Sequence, residues 1–208
     1  MPCGPLVAGE VPGALIVLTA QPGAPGSEPG GAPPRFVLLK DGQVFVGGTA
    51  ELETGRLEKN ELRALQQRID GVRKAVGRSV RIGDDERRST RLLLLGDEPI
   101  EITIAGDPAE ARPLPVAGLV SELLRFDHRS LGRYPPATYA ATAREGRLAG
   151  GCRRWTFTFP IEQALGSAAA VAASDTVGWP TGGWPASVCA GDKRYIVTLR
   201  PLLPGEAP

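Results

Sequence analysis

The first third of the chain carries the hydrophobic pattern of β-strands. Residues 13–20 form a short apolar, β-branched run bounded by proline and glycine, which predicts a strand buried on both faces. Residues 35–40 and 43–46 are also largely apolar, and they flank Asp41-Gly42, a dipeptide that favours a two-residue type I′ turn. We therefore predict a β-hairpin across residues 35–46.

Two later segments have the spacing of amphipathic helices. Apolar residues recur every three or four positions from Leu62 to Val76, which predicts a helix that begins near Glu58 and ends at Gly77. A second helix is predicted around Pro115, because proline is tolerated in a first helical turn. Its apolar side consists of Val116, Leu119, Val120, Leu123 and Leu124.

Two strands are predicted between the helices. They cover residues 90–95 and 100–104, and residues 96–99 supply the turn that joins them. The order of elements is then strand, hairpin, helix, two strands and helix. This order is typical of an antiparallel sheet with two helices packed on one face, so we predict an α+β core for residues 35–130.

The regions on either side of this core differ from it in composition. Residues 1–34 contain eight prolines and seven glycines, which predicts a flexible leader around the first strand. Further along, alternating side chains predict strands at 154–159 and 194–199, with a short helix within 163–173 between them. We interpret residues 131–208 as a C-terminal β-containing module or an extension of the same sheet.

Charge and hydropathy exclude several classes of partner. The 208 residues include 24 Lys and Arg and 23 Asp and Glu, so the net charge is +1. A chain with so little net charge has no overall field to attract nucleic acid or an anionic membrane. No run approaches the roughly 20 apolar residues that cross a bilayer. We therefore expect neither a nucleic-acid partner nor a transmembrane span.

The cysteines bear on the cellular compartment. Cys152 and Cys189 each lie just outside a predicted strand, and a disulfide between them would tie down a loop with few large apolar residues. This pairing predicts an extracytoplasmic location, in the periplasm or at the cell surface, and two free thiols in the cytoplasm are the alternative. Cys3 is left over. Only two residues precede it, so neither a lipobox nor a signal peptide is visible, and membrane attachment through Cys3 stays a hypothesis.

The residue types that carry chemistry are sparse. Three separated cysteines and one histidine offer no zinc-ligand spacing, and no glycine-rich phosphate loop is present, so we expect no metal and no cofactor. His128 is the sole imidazole, and it lies between Asp127 and Ser130. Residues adjacent in sequence rarely form a catalytic triad. We therefore interpret His128 as a residue at the end of the second helix, where it complements the negative end of the helix dipole. Catalysis by His128, or by acidic residues alone, is the alternative.

Trp179 and Trp184 are the candidate partner-binding residues. Both lie in a loop rich in glycine and proline, and a rigid indole gives a large contact area at little entropic cost. A small module also needs large side chains for its own core, and this second role is the favoured one of the two.

Two resemblances can be stated from short motifs. The segment from Phe36 to Val44 has the pattern F-x-L-x-x-D-G-x-V, and Gly55-Arg56-Leu57 with a helix follows it. The closing segment from Arg200 to Glu206 reads RPLLPGE, with Gly205 in place of an acid. These features resemble small bacterial domains of secreted or lipoprotein type, which implies an extracytoplasmic α+β protein and no catalytic residue. In its order of elements the chain is also similar to emfourin-type inhibitors of metalloproteases, although no inhibitory motif matches.

The function expected from the sequence is contact with another protein. We predict a non-enzymatic bacterial envelope protein, such as an accessory subunit of a larger complex. A binder similar to a metalloprotease inhibitor is one alternative, and a hydrolase that uses His128 is another.

Overall fold

The protein is an α+β fold of two β-sheets and two α-helices. A computed structural model describes residues 11–21, 35–47, 52–84, 89–181 and 184–208. The predicted α+β class is confirmed, with both helices on one face of the larger sheet. The expected flexible leader and Cys3 fall largely in residues 1–10 and 22–34, outside the described residues. Neither described helix is long and apolar enough to cross a membrane.

The first sheet has eight strands in the described part of the chain. Their bounds are β1 Ala14–Gln21, β2 Phe36–Leu39, β3 Gln43–Val46, β4 Glu53–Arg56, β5 Val80–Ile82, β6 Ser89–Leu94, β7 Ile100–Ala105 and β8 Gly132–Arg133. The spatial order is β5-β7-β6-β1-β2-β3-β4-β8. All neighbours are antiparallel except β5 and β7, which are parallel. Strand β1 is therefore central, as its apolar sequence predicted.

The two faces of this sheet are covered differently. Ile16 and Leu18 of β1 point to the helix side and are fully buried, whereas Val17 points to the opposite side. The helices are α1, Lys59–Val76, and α2, Leu114–Leu124. They pack their apolar sides over the first face through Leu65, Ile69, Val72, Val116, Leu119, Val120 and Leu123.

The predicted ends of α1 are confirmed. Glu58 is the N-cap of a capping box in which its backbone N–H donates to the Glu61 carboxylate at 2.7 Å. Gly77 follows the last turn with φ of 71°, a left-handed conformation that glycine adopts without strain. The local sequence therefore determines where this helix begins and ends.

The hairpin of β2 and β3 is confirmed, but the predicted type I′ turn is wrong. That turn needs positive φ at two residues, and among the described residues only glycines have positive φ. The Gly42 N–H donates to the Leu39 carbonyl at 3.0 Å, and Gly42 alone is left-handed, with φ of 86°. Asp41 instead accepts the Gln43 N–H at 3.0 Å, a local bond that keeps its backbone in the ordinary region.

The second sheet has five strands in the described part of the chain. Their bounds are β9 Thr138–Glu145, β10 Arg153–Arg154, β11 Ala169–Ala172, β12 Pro185–Ala190 and β13 Lys193–Pro201. The order is β10-β12-β13-β9-β11, and only β10 and β12 are parallel. The predicted strand at 194–199 is confirmed as the middle of β13.

Two predictions in this half are wrong. The strand expected at 154–159 is limited to Arg153–Arg154, and beyond it the Phe159 carbonyl accepts the Trp155 indole N–H at 2.6 Å. The helix expected within 163–173 is a short 3-10 helix at Ile161–Ala164, after which the chain continues as β11. Gly166, with φ of 76°, lies between the two and supplies the change of direction.

The C-terminal tail, residues 202–206, joins the two sheets. It leaves β13 and places Leu203 on the second face of the first sheet, beside Val17, Val37 and Phe45. The Tyr134 hydroxyl donates to the Leu202 carbonyl at 3.1 Å. An ion pair of 2.8 Å links Arg200 to Glu206, whose side chains are only 10% and 0% exposed. The tail is therefore fixed by apolar contact and by a buried charge pair.

Replacing Glu206→Gln is expected to lower the free energy of unfolding by about 3 kcal/mol, because Arg200 loses its buried counter-charge. Glutamine can still accept the Leu203 N–H that now donates to Glu206 at 2.9 Å, but its NH2 group then faces the Arg200 guanidinium, so the change removes both the counter-charge and the acceptor that Arg200 contacts. Urea denaturation measures the loss. The double variant Arg200→Met, Glu206→Gln removes both charges, keeps an acceptor for the Leu203 N–H and is expected to regain most of the stability. A double variant as unstable as Glu206→Gln would contradict a role for the pair.

Replacing Tyr134→Phe is expected to cost about 1 kcal/mol near neutral pH through the lost bond to Leu202. Burial, and then the nearby Glu206 carboxylate, raise the pKa of Tyr134 above 10.0. Above about pH 10 the unfolded chain therefore releases this proton before the folded chain does, and the native protein loses stability. The difference between the two proteins should shrink as pH rises through that range in urea titrations. A stability difference that stays constant with pH would show that Tyr134 does not contribute to the loss of stability at alkaline pH.

Candidate functional site

The segment after α2 brings His128 against a serine and a carboxylate. The His128 Nδ1 atom is 2.7 Å from Ser130 Oγ, and Nε2 is 3.2 Å from Glu61 Oε1. The imidazole side chain is 13% exposed, and it stacks on Phe126 with ring centroids 6.2 Å apart. The structure therefore assembles an acid, a histidine and a serine, a set of groups that hydrolases use.

The acid in this arrangement is Glu61, which the sequence did not indicate. Asp127, the neighbour of His128, makes no hydrogen bond or ion pair with another described residue. The Glu58 N–H, and then His128, lower the pKa of the Glu61 carboxylate. One Glu61 oxygen caps α1 and the other faces the imidazole, so the start of α1 and the end of α2 meet through this carboxylate.

The Ser130 hydroxyl is held by the backbone of β4. The Arg56 N–H donates to Ser130 Oγ at 2.9 Å, and Oγ lies 3.1 Å from the Arg56 carbonyl. The Ser130 N–H also faces His128 Nδ1, at 3.2 Å. A hydroxyl has one proton, so a bond to the Arg56 carbonyl competes with donation to His128. Gly55 is needed here, because a Cβ at that position would lie 2.6 Å from Ser130 Oγ.

A shallow groove lies away from His128. It has a volume of about 630 Å³ and runs between α1 and the turn that joins β6 to β7. Arg73 spans it and donates to the carbonyls of Glu98 at 2.8 Å and Leu94 at 3.0 Å. His128 is not among the residues that line this groove.

The predicted disulfide between Cys152 and Cys189 is present in the structure. It joins the residue that precedes β10 to a residue of β12, with the two Cα atoms 5.6 Å apart. Beside it, Arg153 points to the opposite face of the sheet. Its guanidinium lies 4.8 Å above the Trp179 ring and donates to the Gly178 carbonyl at 2.8 Å.

Trp179 belongs to the core of the second sheet. Its side chain is 9% exposed and stacks on Phe157 with centroids 4.5 Å apart. Trp155 meets both rings edge-on, and the Trp179 indole N–H donates to Thr156 Oγ1 at 3.1 Å. Trp179 therefore has the core role, one of the two roles expected for it. A direct role of Trp179 in binding stays an untested prediction.

Val177 is an exposed apolar residue that the sequence did not indicate as a candidate. The Trp179 N–H donates to the Thr176 carbonyl at 2.9 Å and closes a turn with Val177 and Gly178 at its tip. Val177 has φ of −58° and ψ of 125°, and Gly178 has φ of 79°, which are the angles of a type II turn. Val177 is 85% exposed. A valine before a glycine in a turn was the only sequence signal for it.

Trp184 is the exposed indole of the predicted pair. It directly precedes β12, and its side chain is 59% exposed. Strand β10 pairs with β12 only at Val188 and Cys189, so residues 185–187 lie at the edge of the sheet in the described structure. Among the described residues after α2, the large apolar side chains that are exposed are Val177, in its turn, and Trp184, before β12, which together we name the apolar pair.

Metal chemistry has no candidate site within the described ranges. No group of three or more His, Cys, Asp or Glu side chains there could hold a metal ion.

Replacing Ser130→Ala is expected to lower the free energy of unfolding by about 1 kcal/mol, because both Arg56 backbone groups lose their protein partner at a solvated site. Ser167→Ala is the matched control. Its hydroxyl contacts only the Gln163 carbonyl, at 3.4 Å, so its loss should stay within about 0.5 kcal/mol. Thermal or urea unfolding compares the two, and equal losses would contradict a structural role for Ser130.

Comparison with known proteins identifies no family. No family model, curated protein or solved structure matches the chain. Any function has to be inferred from the geometry of the chain itself.

Proposed function

We propose that this is a non-enzymatic extracytoplasmic protein that acts by binding another protein through the apolar pair, Val177 and Trp184. The observation that carries this proposal is the exposure of these side chains, 85% and 59%, with Val177 on a turn that a backbone hydrogen bond closes. An accessory subunit of an envelope complex would use such a surface.

The anchoring of Val177 is what separates it from an ordinary surface residue. Its turn is closed by a backbone bond and held from below by Arg153 and by the buried Trp179. A turn whose backbone is already fixed needs no further ordering when a partner covers it, and a β-branched valine side chain has little rotamer freedom to lose. Burial of a tryptophan and a valine is favourable by about 1.5–3 kcal/mol for each side chain, enough to support an interface.

The extracytoplasmic location is part of the proposal and is supported by the disulfide. Such bonds persist in oxidising compartments and are rare where thiols are kept reduced. The Cys152–Cys189 bond joins β10 to β12, at the base of the region that carries Val177. The periplasm and the cell surface are both oxidising, and either fits the resemblance to secreted bacterial domains. A cytoplasmic location is the alternative.

A binder similar to a metalloprotease inhibitor is a narrower form of the same proposal. It rests on the resemblance to emfourin-type inhibitors. Titration of the purified protein into a metalloprotease distinguishes it, because an inhibitor lowers turnover stoichiometrically whereas an accessory subunit leaves turnover unchanged.

A hydrolase that uses His128 is the second candidate. The contacts of His128 with Glu61 and Ser130 favour it. The two bonds from Ser130 to the Arg56 backbone count against it, since they hold the hydroxyl that would have to attack. Turnover of ester or peptide substrates that disappears in both His128→Ala and Ser130→Ala would establish the enzyme and overturn the binding proposal.

Site-specific photo-crosslinking tests the apolar pair. A photoreactive amino acid is placed at Val177 or Trp184, and the protein is irradiated with an envelope fraction from its source cells. We expect a discrete adduct from both positions that unlabelled protein competes away. The matched control is Leu114, an exposed apolar residue at the start of α2, which should give no such adduct.

A substitution completes the experiment. Unlabelled protein with Trp184→Ala should bind the partner at least tenfold more weakly in this competition, a change of about 1.4 kcal/mol. Its melting temperature should not fall. The proposal fails if Trp184→Ala competes as well as the parent protein. It also fails if Leu114 gives the same adduct as the other two positions.

A further inference from the structure

Three arginines lie together on the outer face of the second sheet, opposite its aromatic core. Arg154 pairs with Cys189, and Cys189 pairs with Arg194, so these residues project from the same face. Val188 and Tyr195, one position away on the same strands, point into the core instead. Gly146 is the neighbour of Arg194 across the strand pair, and Arg144 lies two residues before Gly146. Arg144 therefore projects from the outer face as well. We name Arg144, Arg154 and Arg194 the arginine face.

The guanidinium of Arg144 lies close to the strand of Arg194. A Cβ placed on Gly146 would be 3.8 Å from Arg144 Nη1, and the Gly146 N–H donates to the Arg194 carbonyl at 3.0 Å. Arg154 lies two strands from Arg194, a separation of about 10 Å. The three positive charges therefore occupy a flat surface of about the size of a short extended peptide.

These arginines lack an internal counter-charge in the part of the chain that the structure describes. Arg144 and Arg154 are exposed and Arg194 is half-buried, and none forms a side-chain hydrogen bond or ion pair with another described residue. The neighbouring Glu145 carboxylate is paired with Lys193 at 2.7 Å. Asp192, in the turn between β12 and β13, forms no ion pair with a described residue. Like charges collected in this way are stabilised by an external anion.

The charge of the whole chain limits the kind of anion. The net charge is +1, so the chain apart from these three arginines is net negative. A large polyanion such as a membrane surface or duplex DNA would also face the negative remainder, whereas a short segment touches the arginine face alone. A guanidinium also matches a carboxylate with two parallel hydrogen bonds.

We propose that the arginine face binds an acidic segment of a partner protein, a run of Asp or Glu residues whose carboxylates pair with Arg144, Arg154 and Arg194. In an extended segment, side chains on one side repeat about every 7 Å, close to the spacing between diagonal neighbours in a sheet. The surface is distinct from the apolar pair, so this proposal does not require that Val177 or Trp184 bind anything.

Fluorescence anisotropy with a labelled oligoglutamate peptide tests this proposal on the full, disulfide-bonded chain. We expect saturable binding that weakens as salt is raised. The triple variant Arg144→Ala, Arg154→Ala, Arg194→Ala should bind at least about tenfold more weakly, since exposed ion pairs are individually modest but add over three sites. The matched control Lys59→Ala, Arg63→Ala, Lys74→Ala removes the same charge from exposed positions of α1 and should bind like the parent protein.

A charge-preserving variant separates loss of the site from loss of the fold. Replacing the three arginines by lysine keeps every charge but removes the paired guanidinium hydrogen bonds, so this variant should bind more weakly than the parent protein and more tightly than the alanine triple variant. Trp184→Ala should bind the peptide unchanged, so a failure of the proposed function is distinguishable from a failure of this proposal.

Three results would overturn the acidic segment as the ligand. One is the absence of saturable binding, and another is an equal loss in the α1 control. The third is binding of phosphatidylglycerol vesicles or duplex DNA that is tighter than peptide binding and depends on the same arginines.

Discussion

The structure depends on how the second face of the eight-stranded sheet is covered. That sheet is apolar on both sides, and the helices cover only one of them. The other side is covered in part by Leu203, which arrives directly from β13 of the second sheet. Because a bare apolar face is unfavourable in water, the tail makes the two halves of the chain mutually dependent. The buried pair of Arg200 and Glu206 then specifies one position for that tail.

In this arrangement the second sheet is the part of the molecule whose surfaces stay available for contact. Its inner face is filled by a cluster of aromatic rings, and the same cluster fixes the turn that exposes Val177. Its outer face carries Arg144, Arg154 and Arg194. The disulfide joins β10 to β12 on this outer face, where Cys189 lies between Arg154 and Arg194. The two proposals use these surfaces separately, apolar contact at Val177 and Trp184 and charge complementarity at the arginine face.

The cluster around His128 shows how one set of side chains can serve either structure or chemistry. Glu61, His128 and Ser130 have the identities of a catalytic triad, yet each also completes a backbone connection. Glu61 caps α1, and Ser130 binds the backbone of β4. The proposed binding function assigns these residues to the junction of α1, α2 and the first sheet. Hydrogen bonds to the backbone, which sequence spacing does not reveal, carry that assignment.

Local patterns were sufficient for the elements whose causes are local. The period of α1, its capping residue and its terminal Gly77, the central strand β1 and the hairpin around Gly42 all follow from neighbours in the chain. The pairing of Cys152 with Cys189 was also anticipated, from their positions beside predicted strands. Contacts between residues distant in sequence could not be predicted, because local patterns do not determine which strands become neighbours. The approach of Glu61 to His128, the burial of Trp179 with exposure of Trp184, and the gathering of three arginines on one face were decided by strand order and by the packing of the tail between the sheets.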